Sequence, residues 1–204
     1  MSRIFPNFPT VEQAPSAGER TTVPPAAEAE TMTVWRKSLL FNCKGFTVFD
    51  SKGNLRFRVD NYSARSSSGE IVLMDSSGKP LLTIRRKRLS LGENWLIYDG
   101  EEALKPRFSV RKHVTLFGSG EIAHVTPCGL RSHPESSYAV EGSYSRKRCA
   151  IYDFRRRAVA EVARKEAAPG VALGGDVFRL GVQPDLEPAF AMAVVVILDQ
   201  MYGS

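Results

Sequence analysis

The most constraining feature of this sequence is a greasy stretch near its end. From Ala189 to Leu198 the chain reads Ala-Phe-Ala-Met-Ala-Val-Val-Val-Ile-Leu, with no polar residue on any face. Asp185 or Glu187 can cap a helix there, Pro188 suits its first turn, and Asp199 and Gln200 end the run. A helix that is apolar all round must be buried all round. Pro188 to Met201 is about 14 residues, roughly 21 Å at ~1.5 Å per residue. A bilayer core of ~30 Å needs about 20 residues, so a buried core helix over 187–201 is expected and a transmembrane span is not. The run Val194-Val195-Val196-Ile197 would also suit a strand, so the pattern alone leaves both states open.

The rest of the chain decides between them. Short runs of β-branched and aromatic residues alternate with turn residues at regular spacing, the signature of an all-β sandwich or barrel. Residues 45–50 lead into the turn Ser51-Lys52-Gly53-Asn54 and then 55–60. There Leu55, Phe57 and Val59 should face the core, and Arg56, Arg58 and Asp60 should face water. Residues 71–75 and 80–85 flank a Ser76-Ser77-Gly78-Lys79 turn. Further runs occur at 95–98, 107–110, 138–142, 149–154, 159–163 and 177–182. The count is about twelve strands. Side chains alone can fill a barrel of eight, whereas eleven or twelve leave a wider lumen that needs a plug. The expected fold is therefore mainly β: a closed antiparallel barrel around a central, buried C-terminal helix. Burying ten apolar side chains contributes roughly 15–30 kcal/mol gross at ~1.5–3 each.

Residues 1–31 are rich in Pro, Ala, Glu and Thr and lack apolar periodicity. They are expected to form a disordered tail, with one domain over 32–204. No secretory signal, myristoylation site or prenylation box is recognisable. The sequon Asn61-Tyr62-Ser63 is read as a chance match. Three widely spaced cysteines, Cys43, Cys128 and Cys149, suggest reduced thiols rather than a disulfide framework or a zinc site. The implied location is cytoplasmic, either at the periphery of the plasma membrane or extending to the nucleus.

Catalytic patterns are missing. There is no nucleophile elbow, zinc-protease box or phosphate loop. Gly118-Ser119-Gly120 reads as a turn, Glu101-Glu102 as solvated carboxylates, and His113, His124 and His133 are scattered. His113 and His124 suit satisfied barrel histidines, and Cys149 a small core hydrophobe. No enzyme, cofactor or metal is expected.

Basic turns carry the only signal for a partner in a chain of net charge +6. The first cluster is Arg85, Arg86, Lys87 and Arg88, and the second is Arg146, Lys147 and Arg148. The third is Arg155, Arg156 and Arg157, and Arg164-Lys165 follows. One reading is solvated turns that protect strand edges. The other is a site for anionic lipid headgroups, each cation adding about 1 kcal/mol near an anionic surface. Specific nucleic-acid binding lacks stacking platforms and a recognition helix, although a transcription-associated role stays open. The Arg65-Ser66-Ser67-Ser68 loop could be phosphorylated.

Several stretches together carry a resemblance: Trp35-Arg36-Lys37-Ser38-Leu39, Gly45-Phe46-Thr47-Val48-Phe49-Asp50-Ser51-Lys52-Gly53, and Phe57-Arg58-Val59-Asp60-Asn61-Tyr62. Val72-Leu73-Met74-Asp75-Ser76-Ser77-Gly78, Val162-Ala163-Arg164-Lys165 and Val195-Val196-Ile197-Leu198-Asp199-Gln200 extend it. Over about 32–202 the chain resembles the plant LURP-one-related proteins, whose fold is similar to Tubby C-terminal domains and phospholipid scramblases. The resemblance implies a twelve-stranded barrel around a C-terminal helix and a link to plant pathogen defence. It favours phosphoinositides as ligands, leaves a scramblase-like membrane activity as an alternative, and implies no specific protein partner. A monomer is expected.

Overall fold

The computed structural model describes residues 28–39, 45–61, 70–90, 92–101, 104–113, 120–129, 134–168 and 171–203. The expected tail and Cys43, His133 and the Arg65-Ser66-Ser67-Ser68 loop therefore lie outside the described residues, apart from positions 28–31 of the tail.

Among the described residues fourteen strands and one 3-10 turn, Pro134–Ser136, precede one α-helix. The strands are β1 Glu30–Trp35, β2 Gly45–Phe49, β3 Leu55–Asn61, β4 Glu70–Asp75, β5 Pro80–Arg86, β6 Asn94–Asp99 and β7 Phe108–Lys112. Then come β8 Glu121–Pro127, β9 Tyr138–Ser143, β10 Arg148–Tyr152, β11 Ala158–Arg164, β12 Glu166–Ala168, β13 Val171–Ala172 and β14 Val177–Val182. The helix α1 spans Pro188–Tyr202. Twelve strands close into one antiparallel barrel, in the order β1-β14-β11-β10-β9-β8-β7-β6-β5-β4-β3-β2. The remaining pair, β12 and β13, forms a separate two-stranded sheet.

Closure rests on continuous apolar rungs. Met32 pairs with Leu180, Leu180 with Val162 and Val162 with Cys149. On the other side Val34 pairs with Val48 and Val48 with Phe57. Each of these residues is buried and points inward, as the period of two requires. The strand β1 begins at Glu30, inside the expected tail, and supplies the pairing that closes the ring.

The lumen is filled by α1, whose residues from Ala189 to Asp199 are all buried. Glu187 occupies its N-cap position but makes no side-chain cap bond, and Pro188 takes the first turn. Among the described residues no helix is long and apolar enough to cross a membrane. Phe190 lies 4.5 Å from the Phe108 ring and 5.4 Å from Tyr138, centroid to centroid. These contacts place the start of α1 at the end of the barrel where β7 begins and β14 stops. That end is called the entry end here, and the opposite one the exit end.

Four hairpin turns share one geometry. The fourth residue donates its backbone N–H to the first: Gly53 to Asp50, Gly78 to Asp75, Lys147 to Tyr144 and Arg156 to Asp153. That fourth residue has positive φ each time: 85° at Gly53, 89° at Gly78, 51° at Lys147 and 63° at Arg156. Glycine adopts this conformation at no steric cost, whereas lysine and arginine do not. Asp50 and Asp75 also accept N–H bonds from their own turns. The Asn54 side chain holds the Asp50 carboxyl below its usual range, and the Ser77 hydroxyl does the same for Asp75.

Asp60 departs from the expected pattern. It lies on the outward side of β3 yet is only 1% exposed. The connection after β1 covers it: the Ser38 hydroxyl donates to Asp60 Oδ1 at 2.7 Å, and Arg58 Nη2 lies 3.2 Å from Oδ2. A strand's own alternation cannot report a covering supplied by another segment. Gly45, paired with Asp60, permits the close approach, because a Cβ there would meet the Val59 carbonyl at 2.0 Å.

Candidate functional site

The exit end gathers the charged groups that most distinguish this molecule. A helix C-terminus carries partial negative charge and unsatisfied carbonyls. Here three strand-borne cations meet it. Arg36, just beyond β1, sets Nε 3.0 Å from Asp199 Oδ1 and 3.2 Å from Oδ2, and Asp176 lies 3.9 Å from its Nη1. Lys112, at the end of β7, donates to the Met201 carbonyl at 3.0 Å and pairs with Glu93 at 2.8 Å. Lys147 places Nζ 3.5 Å from the centre of the Tyr144 ring and 4.7 Å from that of Phe178. The Tyr144 hydroxyl donates to Asp199 Oδ1 at 3.1 Å, and the Tyr202 hydroxyl donates to the Ile122 carbonyl at 2.7 Å.

Burial sets the chemistry of this plug. Desolvation lowers the pKa of Lys147 against the attraction of Asp199. It raises that of Tyr144, with Asp199 adding to the effect. Tyr144 therefore serves as a hydrogen-bond donor and packing group, and Lys147 as a buried amine lying on two aromatic rings. Cys149 nearby is pushed up to about 12 by the same desolvation, which makes it a poor nucleophile.

Outside this plug lies the rim. Antiparallel strands alternate direction, so the turns after β5, β7, β9 and β11 all sit at the exit end. Arg86, Lys87, Arg146 and Arg148 are exposed there and make no ion pair among the described residues. Arg164 Nε donates to the Arg146 carbonyl at 3.1 Å, and Lys165 Nζ to Thr33 Oγ1 at 2.6 Å. A groove of about 850 Å³ runs down the outer wall from this rim, with Arg148, Arg164, Glu141 and Glu161 among its lining residues.

The structure thus places two of the three basic clusters read from the sequence at one end of the barrel, on turns separated by β7 and β8. Within them the members differ. Arg85 is held by Glu70 at 2.8 Å and stacks 4.5 Å over Tyr98. Arg86, Lys87 and Arg88 are exposed in the same turn. Lys147 is 7% exposed, so only Arg146 and Arg148 of the second cluster face solvent. The third cluster lies at the entry end. There Arg156 pairs with Glu141 at 2.6 Å, and Arg157 with Asp153 at 2.8 Å and Asp185 at 2.7 Å. Arg155 stays exposed beside Phe154.

His124 is exposed on the outer wall, 3.2 Å from Glu121, and His113 is exposed at the end of β7. Among the described residues no group of three or more His, Cys, Asp or Glu is placed to hold a metal ion. Sequence reasoning missed Arg36, Lys112 and Asp199 as a unit, because their separations along the chain carry no local pattern. The one available signal was a carboxylate closing an otherwise apolar helix.

Comparison with known proteins agrees with this architecture. The family model described as LURP-one-related matches residues 30–199. Protein LURP-one-related 8 of Arabidopsis thaliana is 44% identical over 207 residues, covering 100% of both chains. Protein LURP-one-related 5 of the same plant is 43% identical, covering 86% of this chain and 85% of its own. A solved X-ray structure of an Arabidopsis thaliana protein superposes with a TM-score of 0.63 at 24% identity, over 86% of this chain and 93% of the other, which supports the fold alone. The chain belongs to the LURP-one-related family.

Proposed function

We propose that this protein is a non-enzymatic, peripheral binding protein that recognises anionic phospholipid headgroups, phosphoinositides above all, at the exit rim of its barrel. One observation carries the reading: Arg86, Lys87, Arg146 and Arg148 share one end of the barrel, exposed and without an ion pair among the described residues. Four such cations contribute roughly 4 kcal/mol near an anionic surface, at about 1 kcal/mol each. That is weak, salt-sensitive binding, suited to a reversible tether. A cytoplasmic site of action and a part in plant pathogen defence belong to the same proposal and rest on the family resemblance.

The test is vesicle sedimentation across a salt series with the full chain. Replacing Arg86, Lys87, Arg146 and Arg148 together by Ala should abolish sedimentation with phosphoinositide vesicles and leave the melting temperature nearly unchanged. Arg85 is left out of the variant because its Glu70 and Tyr98 contacts tie it to the wall. Wild-type binding that ignores anionic lipid content would refute the proposal.

A further inference from the structure

Six large hydrophobic side chains are exposed among the described residues: Trp35, Leu39, Leu89, Leu104, Phe154 and Leu173. Single exposed apolar residues are ordinary and need no explanation. Their distribution is informative here. Leu39 follows β1, Leu89 sits in the turn between β5 and β6, Leu173 precedes β14, and Trp35 ends β1. Leu39, Leu89 and Leu173 therefore sit at the exit end, whereas Trp35 lies on the outer wall, its ring edge-on to Phe49 at 5.7 Å. Leu89, at 98% exposure, directly follows Arg85, Arg86, Lys87 and Arg88. Leu39 follows Lys37 closely, while the wall groove that Trp35 lines with Lys165 reaches Asp50 and Ser51 of the opposite end.

We propose that the exit rim is a membrane-insertion surface: the apolar tips Leu89, Leu39 and Leu173 sink into the interface of an anionic bilayer while the neighbouring cations hold its headgroups. This inference rests on the headgroup reading above and adds the orientation of the barrel and the apolar component of binding. A soluble polyanion would satisfy the cations but leave Leu89 in water. A bilayer satisfies both, because apolar side chains gain on entering the acyl boundary.

The entry end is the natural comparison. It too exposes apolar residues, Leu104 at 92% and Phe154 at 46%. Its charges differ. Arg107 is held between Asp99 at 3.2 Å and Glu187 at 2.8 Å, and Arg157 between Asp153 and Asp185. Asp50 and Asp75 are ionised in its turns. Arg155 is exposed beside Phe154 there, but these carboxylates offset the cations of this end, so it attracts an anionic surface less than the exit end does.

The experiment uses the full chain and vesicles of phosphatidylcholine with and without phosphatidylserine. Two neutral variants, Leu89→Ser and Leu104→Ser, are compared for sedimentation, and both should melt like the wild type because the side chains are exposed. Leu89→Ser should weaken binding to the anionic vesicles by about tenfold, and Leu104→Ser should leave it unchanged. Brominated acyl chains should quench the added emission of a Leu89→Trp variant on binding, while Trp95, buried inside the barrel, stays silent. Binding that survives Leu89→Ser with no quenching would overturn the insertion and leave the headgroup proposal standing. A larger loss from Leu104→Ser would place the contact at the wrong end and overturn the insertion as well. No sedimentation with any anionic vesicle would overturn both.

Discussion

The Tyr144 hydroxyl, in the turn between β9 and β10, donates a 3.1 Å hydrogen bond to Asp199, in the last turn of the central helix. Arg36, from just beyond β1, approaches the same carboxylate at 3.0 Å. The helix is thereby fastened to the wall at the end where its own partial charge is negative. Tyr144→Phe should cost about 1.5–2 kcal/mol, the worth of a bond to a charged acceptor. Asp199→Ala should cost about 2–3 kcal/mol, less than a fully buried pair, because the Arg36 side chain keeps 33% exposure and can be partly hydrated. Urea titration of each variant against the wild type measures both.

The four matched hairpin turns predict opposite effects at equivalent positions. Gly78→Ala forces a Cβ into a backbone with φ of 89° and should destabilise the protein by about 1 kcal/mol. Arg156→Gly removes the same kind of strain at φ of 63° but gives up an exposed ion pair with Glu141. Fully exposed pairs contribute little, so this variant should be neutral or slightly more stable than the wild type. Thermal melts of the two proteins should bracket the wild type, and equal losses in both would refute the account.

Much of this geometry was legible in the sequence. The Asp-Ser-Lys-Gly and Asp-Ser-Ser-Gly turns announce hairpins because the glycine sits where φ must be positive. Period-two patterning put Phe57 and Val59 in the core, and the apolar run gave a helix within one residue of Pro188–Tyr202 at each end. Burial caused by distant segments was not legible. Asp60 is covered by Ser38, and Lys147 is folded against Phe178 from another strand. Nor could the sequence say which basic turns share an end, since that depends on the number of strands between them. The turns at 87–93 and 144–147 fall together, and the one at 153–157 falls opposite.

The central helix tolerates no polarity in its middle. Val195 is fully buried inside the ring. Val195→Asp should leave an unpaired carboxylate there, at a cost comparable with a whole domain's stability of about 5–15 kcal/mol. The expected outcome is insoluble protein, or soluble protein without a cooperative melt. Truncation before Pro188 should have the same result, since the wall would then enclose no core.

Cys149 gives the fold a signature in alkali. Its thiol is raised from 9.0 to about 12 by burial. A group whose pKa is higher in the folded state contributes fully below its unfolded value and less as pH rises through the folded one. Stability should therefore fall from about pH 9 upward, and Cys149→Ala should remove that component. Lys147 acts in the opposite sense, because burial lowers its pKa and its contribution grows with pH. The comparison of wild type with Cys149→Ala across the same pH range isolates the thiol. At neutral pH Cys149 should also resist maleimide until the protein unfolds.

Ring closure limits how such a molecule can acquire new partners. Every wall strand is hydrogen-bonded on both flanks, so the wall has no edge onto which a foreign peptide could be added as a further rung. Novel recognition has to be written in outward side chains and in the lengths of the connecting loops. Relatives built on this scaffold should accordingly keep their staves and vary their brims.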